Sequence, residues 1–320
     1  MKQLDQLVRN ALKRDPLALG RIARILDDGL DGRDEVLSLL YPRAGRARVV
    51  GITGPPGAGK STLVSGLIGH ARAKGLSVAV LAVDPTSPYS GGAVLGDRIR
   101  MQEHATDPGV FIRSLATRGN MGGLSRTAGH LLTLMDAAGF DLVFLETVGV
   151  GQEEVQIKDL AQTTVFVTVP GLGDGIQAMK AGVLEIAHIY LVNKADIPMV
   201  EATVRDLKAM VSLGGGEGEW EPPVLTSVAK EGVGIGELMN EIDRHYDRLE
   251  QSGGLDRWRA GTAGAAVTEA LKEIMESSLS ALVNGRGREW DEDVRKVATR
   301  ESDPLSVARR WLARLDFNKD

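Results

Sequence analysis

Short apolar runs alternate with stretches of helical spacing through the middle of the chain. The runs that start at Arg48 have the length and composition of buried strands, and the stretches between them repeat apolar residues at the helical period. A mostly parallel sheet covered by helices on both faces produces this alternation, so the sequence predicts an α/β fold. The predicted strands are 49–53, 77–83, 110–113, 142–146, 164–169, 189–193 and 224–226. The predicted helices are 60–74, 123–138, 176–186, 200–211 and 235–250.

Both ends of the chain carry helical periodicity without strands. Near the start, Asp15-Pro16 is a cap followed by a proline in the first helical turn. Near the end, apolar positions from Val267 to Val283 mark one amphipathic helix, and Asp303-Pro304 opens a final one. The apolar stripe of this end is either core or a subunit interface. We therefore predict an N-terminal helical extension (1–46), a central α/β domain (47–252) and a C-terminal helical arm (253–320).

The segment VVGITGPPGAGKST joins the first predicted strand to the next helix. Gly54 to Ser61 fills each fixed position of the phosphate-binding pattern G-x-x-x-x-G-K-[ST]. In such a loop, backbone N–H groups and the positive end of the following helix face a phosphate. Lys60 can reach the β- and γ-phosphates, and the Ser61 hydroxyl can ligate Mg²⁺. The residues predicted to contact the nucleotide here are Gly57, Ala58, Gly59, Lys60, Ser61 and Thr62.

A second motif indicates which nucleotide binds. The strand 189–193 leads into Asn193-Lys194-Ala195-Asp196, the N-K-x-D pattern of guanine sites. Asp196 can accept hydrogen bonds from the N1–H and 2-amino groups of guanine. Adenine lacks both donors and would leave a carboxylate unpaired, which costs about 1–3 kcal/mol or more. The stem of Lys194 can lie over the base, and Asn193 can tie this loop to the phosphate loop. We predict GTP and GDP as ligands, with a backbone amide for guanine O6 from Ser227, Val228 or Ala229.

Acidic residues stand at or near the ends of predicted strands, where parallel sheets usually bind ligands. Mg²⁺ prefers oxygen ligands and keeps several waters, so one or two carboxylates are expected beside Ser61. Glu146-Thr-Val-Gly149 has the position of the segment that senses the γ-phosphate in other GTPases, and the Gly149 N–H would contact that phosphate. Gln152 and Glu146 are the candidates for placing the attacking water. The predicted magnesium residues are Ser61, Asp84, Asp97 and Glu146.

Composition removes several classes of function. The net charge of −5 argues against general nucleic-acid binding. The absence of cysteine excludes disulfides, thiolate metal sites and cysteine nucleophiles. The N-terminal residues are charged throughout, unlike a signal peptide, and no apolar run approaches the ~20 residues that span a bilayer. We therefore predict a cytoplasmic protein with no nucleic-acid or membrane partner.

Together these motifs resemble the SIMIBI-class P-loop GTPases of the MeaB/ArgK type, which protect adenosylcobalamin-dependent acyl-CoA mutases. The match runs over residues 48–250, and its most specific parts are ETVGVGQ (146–152) and the segment 173–185. The resemblance implies GTP hydrolysis that is slow alone, is accelerated by the mutase and gates cobalamin loading. It also implies a homodimer built through the C-terminal helices, and a third switch in 171–185 where Asp174, Gln177 and Lys180 respond to the partner. Lys180 is a candidate to reach the γ-phosphate.

Other interpretations remain open at this point. His188 stands where an Asp is usual in the family, which leaves the identity of the mutase and its substrate undecided. A metal-insertion GTPase, as in hydrogenase or urease maturation, would need clustered Cys and His ligands, whereas this chain has no cysteine and its five histidines are dispersed. A transport-associated ATPase or kinase, as the older family name suggests, would bind ATP. A GTP-gated scaffold would bind GTP without hydrolysing it.

Overall fold

One sheet of seven parallel strands organises the central part of the chain and confirms the predicted fold class. The computed structural model describes residues 2–84, 101–116, 121–147, 153–171, 186–213, 220–284 and 287–314. The strands are β1 Arg48–Thr53, β2 Val78–Asp84, β3 Val110–Ala116, β4 Leu142–Glu146, β5 Thr163–Thr168, β6 Ile189–Val192 and β7 Val224–Thr226. They pair in the order β3-β2-β4-β1-β5-β6-β7, so the strand that precedes the phosphate loop lies at the centre.

Helices surround this sheet and extend at both ends of the chain. The helix predicted at 176–186 falls almost wholly outside the described residues, and two helices that were not predicted occur after residues 152 and 287. The helices are α1 Lys2–Ala11, α2 Pro16–Asp28, α3 Arg33–Leu40, α4 Lys60–Ala73, α5 Met121–Ala137, α6 Glu153–Leu160, α7 Val200–Leu213, α8 Ile235–Gln251, α9 Gly254–Asn284, α10 Arg288–Ala298 and α11 Pro304–Leu312.

The two faces of the sheet bury different apolar clusters. Successive residues of a strand point to opposite faces, and in β1 Val49 joins the cluster with α1–α3 and α5 while Val50 joins the one with α4 and α8. A third, smaller cluster packs α7 against β5 and β6. Both faces are therefore covered, which explains why the strands are continuous apolar runs.

The N-terminal helices pack against the first of these clusters. Asp15 caps α2 by accepting a hydrogen bond from Ala18 N at 2.7 Å, and Leu19 and Ile22 are completely buried. The chain that leads into β1 is held by one carboxylate, because Asp136 of α5 accepts from the backbone N–H groups of residues 45–47. The chain forms two compact units, Met1–Thr262 and Ala263–Asp320, so this extension belongs to the first unit.

The second unit contains most of α9 and the last two helices. Its small core is centred on Trp311, whose indole N–H donates to Asp293 at 2.9 Å and whose ring meets Trp290 edge-on at 5.1 Å. Asp293 also pairs with Arg310 at 2.6 Å. Among the described residues, the helices lack the combination of length and apolar character that is needed to cross a membrane.

Two histidine rings, buried His245 and half-buried His188, contact each other at the end of the sheet that faces away from the phosphate loop. His188 precedes β6, and its Nδ1 accepts from Thr164 N at 2.9 Å. His245 of α8 lies 4.2 Å from the His188 ring and contacts the Thr163 hydroxyl at 2.9 Å. Burial lowers the pKa of His188 to about 4, and burial together with the neighbouring His188 lowers the pKa of His245 to about 3. Both rings are therefore neutral in the folded protein near pH 7.

Acid is expected to destabilise the protein through this pair. In the unfolded chain the histidine pKa returns to 6.5, so that state takes up protons as the pH falls below 6.5, while the folded rings stay neutral until about pH 4. The stabilisation is complete above pH 6.5 and is lost as the pH falls toward 4, by about 2 kcal/mol per histidine at pH 5. Urea unfolding at a series of pH values measures this slope. His245→Phe should reduce it by about one proton, and an unchanged slope in that variant would contradict the assignment.

Candidate nucleotide-binding site

The loop between β1 and α4 has the backbone of a phosphate-binding turn. Gly54 adopts φ of 139°, and a Cβ at this position would lie 2.0 Å from the carbonyl oxygen of Val167 on β5. Gly59, with φ of 88°, comes similarly close to Asn193 Nδ2, at 2.5 Å. Only glycine fits both positions, because a side chain would be strained and would collide with fixed neighbours. The helix α4 begins at the next residue, Lys60, so its N-terminus opens into the loop.

Lys60 is held at the centre of this loop. It is buried, and its ammonium donates to the carbonyl oxygens of Gly54 at 2.7 Å and Pro55 at 3.1 Å. A buried ammonium is stable only when several acceptors replace water. The loop thus fixes one positive charge beside the N–H groups that would face a phosphate.

A hydroxyl and a carboxylate meet beside Lys60. Ser61 Oγ in the first turn of α4 donates to Glu146 Oε1 at the end of β4, at 2.8 Å, and both side chains are buried. Register places Glu146 opposite Ile52, just before the phosphate loop. Two adjacent oxygen ligands at the carboxyl edge of the sheet fit the preferences of Mg²⁺. Asp84 ends β2 at the same edge, although the structure does not describe its side chain.

Asn193 connects the three loops of the predicted base site. Its amide Nδ2 donates to Ala58 O in the phosphate loop at 2.8 Å, and its Oδ1 accepts from Ser227 Oγ and Ala229 N, each at 3.1 Å. The side chain is buried. Lys194 adds a second link, because its ammonium donates to Gly57 O at 2.9 Å. The N-K-x-D segment and the phosphate loop are therefore built as one structure, and Asp196 is left exposed beside them.

The amides predicted for guanine O6 already have partners. Ser227 N donates to Val192 O at 2.9 Å, Val228 N donates to Val233 O at 3.1 Å, and Ala229 N donates to Asn193. One of these bonds would have to open, or be shared, for such an amide to reach guanine. The O6 contact by these three residues therefore stays a prediction.

Several predicted site residues lie outside the described part of the chain. They include the magnesium candidate Asp97 and the γ-phosphate candidate Gly149. The catalytic candidates Gln152 and Lys180, and the switch residues Asp174 and Gln177, also lie outside it. Thr62, in contrast, is described and lies exposed in the first turn of α4.

The sequence reasoning overlooked a pair of threonines at this edge. Thr147 Oγ1 donates to Thr53 Oγ1 at 3.0 Å, and both side chains are buried. The only sequence signal is position, since Thr53 directly precedes Gly54 and Thr147 directly follows Glu146. Threonine is common in strands, so this position alone does not identify the contact.

Comparison with known proteins agrees with this geometry. The family described as methylmalonyl Co-A mutase-associated GTPase MeaB matches residues 28–285, a span that contains the phosphate loop, Glu146 and the N-K-x-D segment.

Individual relatives extend the match. A proposed GTPase of Pyrococcus abyssi is 45% identical over 308 residues, which cover 95% of this chain and 94% of the relative. The GTPase ArgK of Escherichia coli is 38% identical over 235 residues, covering 70% of this chain and 69% of the relative. A solved structure described as an LAO/AO transport system kinase superimposes with a TM-score of 0.71 at 26% identity, covering 98% of this chain and 97% of that one.

Proposed function

Because this chain belongs to the MeaB family of methylmalonyl-CoA mutase-associated GTPases, we propose that it hydrolyses GTP in the service of an adenosylcobalamin-dependent acyl-CoA mutase. In this role it would gate the loading of adenosylcobalamin and protect the loaded enzyme. The observation that carries the proposal is the family match over residues 28–285, which covers the whole sheet and both nucleotide motifs. A mitochondrial relative from Mus musculus, named methylmalonic aciduria type A homolog, supports it with 35% identity over 210 residues, 64% of this chain and 51% of that one.

The described residues suggest a division of labour in the reaction. Lys60 would hold the β- and γ-phosphates, because its ammonium already sits among the loop carbonyls. Ser61 and Glu146 would hold Mg²⁺, which when bound neutralises charge on the phosphate oxygens. Asp196 would accept from the guanine edge while Asn193 keeps the two loops together. Phosphoryl transfer of this kind depends mainly on positioning and on charge stabilisation, so a partner can complete the site.

The segments that follow the strands of the sheet would respond to the presence of GTP. Gly149 is proposed to contact the γ-phosphate. Gln152 and Glu146 are proposed to position the attacking water, and Lys180 is proposed to respond to the partner. Loss of the γ-phosphate would release these segments, which changes how the mutase is held. This part of the proposal rests on the family resemblance, with Asp84 and Asp97 as further magnesium residues.

A homodimer is the second element of the proposal. The second unit exposes one apolar face of α9, and solvent reaches about half of each side chain on it. Contiguous apolar side chains that are exposed on one helix face are typical of an interaction surface. The face consists of Val267, Leu271, Ile274, Met275 and Leu279. Sedimentation should show two chains per particle, and Leu271→Glu should give one chain with unchanged nucleotide affinity.

The decisive test joins nucleotide state to mutase binding. The purified chain is mixed with a candidate mutase and adenosylcobalamin in the presence of GDP or a non-hydrolysable GTP analogue, and with the Lys60→Ala variant as control. The amount of mutase that binds the chain and the amount of cobalamin that is transferred should differ between the two nucleotides for the natural chain. Neither amount should differ for the variant. If neither differs while GTP is still hydrolysed, the mutase role is wrong and the GTPase activity stands.

A transport-associated ATPase or kinase is the second candidate, because the solved relative carries such a description. It predicts that ATP displaces labelled GTP, which the exposed Asp196 carboxylate disfavours. Metal insertion is less well supported, since the described ranges contain no group of three His, Cys, Asp or Glu side chains that could hold a metal ion. Stoichiometric nickel or zinc uptake would revive it.

A further inference from the structure

Two threonines close the end of the central strand pair. Thr147 Oγ1 donates to Thr53 Oγ1 at 3.0 Å, and Thr147 N donates to Ile52 O at 3.1 Å. Thr53 is 0% and Thr147 5% exposed, so water does not compete for these groups. The two bonds carry the pairing of β4 with β1 one residue beyond the last residue of β4.

This pair lies directly behind the proposed magnesium ligands. Ile52 packs in the cluster with α4 and is in register with Glu146, so the Glu146 side chain points toward α4 and meets Ser61 there. Thr53 and Thr147 are the next residues of the two strands and face the other side of the sheet. They fix the backbone at Glu146 and at the start of the phosphate loop from the side of the sheet opposite Ser61.

We propose that Thr147 is a positioning residue for GTP hydrolysis, acting through Glu146. The hydrogen bond between the Thr147 and Thr53 hydroxyls fixes the position of the end of β4 along β1. This position determines the distance between the Glu146 carboxylate and Ser61. Ligand oxygens around Mg²⁺ tolerate little displacement because its geometry is strict. The inference rests on the proposed role of Glu146. It concerns the isolated protein, so a failure of the mutase role leaves it unaffected.

Thr147→Val keeps the shape of the side chain but removes the hydroxyl that donates a hydrogen bond to Thr53. The affinity for a GTP analogue with Mg²⁺ should fall about tenfold, while the affinity for GDP without metal stays within about twofold. Half-maximal hydrolysis should require about ten times more Mg²⁺. Thr147→Ser retains the hydroxyl and should restore all three values. Calorimetry and phosphate release across a magnesium series measure them.

Two further variants separate positioning from stability. Thr53→Val with Thr147→Val removes both hydroxyls, so thermal stability should return near that of the natural chain while the magnesium defect persists. Thr164→Val is a matched control, because Thr164 is 0% exposed and its hydroxyl has no hydrogen-bond partner in the described structure. It should behave as the natural chain.

Three results would overturn the proposal. One is equal weakening of GDP and the GTP analogue in Thr147→Val, which would indicate general disruption of the site. Another is recovery of both stability and magnesium response in the double variant. The third is the same magnesium defect in Thr164→Val.

Discussion

Asp196→Asn is expected to convert the protein from a GTP-binding to a xanthosine-triphosphate-binding one. In the proposed complex the carboxylate accepts from two donors on guanine, N1–H and the 2-amino group, whereas an amide has one acceptor oxygen and would turn its N–H group toward the second donor. Xanthine carries an oxygen in place of the 2-amino group, so the Asn amide would donate to that oxygen and accept from N1–H. By the cost of mismatched polar groups, the affinity for GTP should fall about 10²–10³-fold, with a comparable gain for xanthosine triphosphate.

Competition against a labelled guanine nucleotide measures this exchange. Asp196 is exposed and lies beyond the bonds that Asn193 and Lys194 make, so the melting temperature should not change. Asp206→Asn, the same change at an exposed position of α7, provides the control. An Asp196→Asn protein that loses GTP without gaining the xanthine nucleotide would show that the carboxylate does not read the base edge.

Asn193→Ala is expected to lower the affinities for GTP and GDP together by about 10²-fold or more. The change removes the hydrogen bonds that Asn193 makes with three buried polar groups, namely Ala58 O, Ser227 Oγ and Ala229 N. Each buried group left unpaired costs about 1–3 kcal/mol. A total of about 3 kcal/mol would lower the melting temperature of a unit this large by about 6–12 °C. Calorimetry of binding and of unfolding gives both values.

A conservative variant identifies which bond matters most. Asn193→Asp keeps the acceptor for Ser227 and Ala229 but turns a second oxygen toward Ala58 O, so it should also bind poorly. Xanthosine triphosphate should rescue neither variant, in contrast to Asp196→Asn. If Asn193→Ala kept its affinity and lost only stability, the connection between the two loops would be unnecessary for binding.

Much of the sheet could be read from the sequence because its five inner strands are buried on both faces. The end of β3 differs from the prediction for a physical reason. The third strand was predicted to end at Arg113, whereas β3 continues to Ala116. The charge of Arg113 is met by Asp27 of α2, at 3.0 Å, so it does not end the strand. That partner comes from a distant part of the chain, and no local pattern reveals it.

The two helices that were missed lack an apolar stripe of the usual width. Seven of the eleven residues of α10, REWDEDVRKVA, are charged, and Asp293 is its buried residue. Its burial is possible because Trp311 and Arg310 supply hydrogen bonds, an arrangement that only the fold brings together. In α6, Ile157 fills the space that Gly51 leaves on β1, and Leu160 lies beside Gly129 of α5, so tertiary contacts hold a short helix.

The candidate site divides in the same way. Lys60, Ser61 and Asn193 could be named from motifs, since their spacing carries the chemistry. The pairing of Thr147 with Thr53 could not, because it depends on β4 lying beside β1, and sequence gives no strand order. The partners of the amides at 227–229 depend likewise on the fold, because Val192, Val233 and Asn193 supply the acceptors.

The central place of β1 has a consequence for biosynthesis. Its two neighbours are β4 and β5, whereas the chain between β1 and β4 supplies β2 and β3. Contacts so far apart in sequence form late and slowly. A nascent chain whose residues 142–168 have not yet left the ribosome therefore has the full phosphate-loop motif but lacks β4 and β5, the two strands that pair with β1. We therefore expect nascent chains and fragments that stop before β4 to bind no nucleotide.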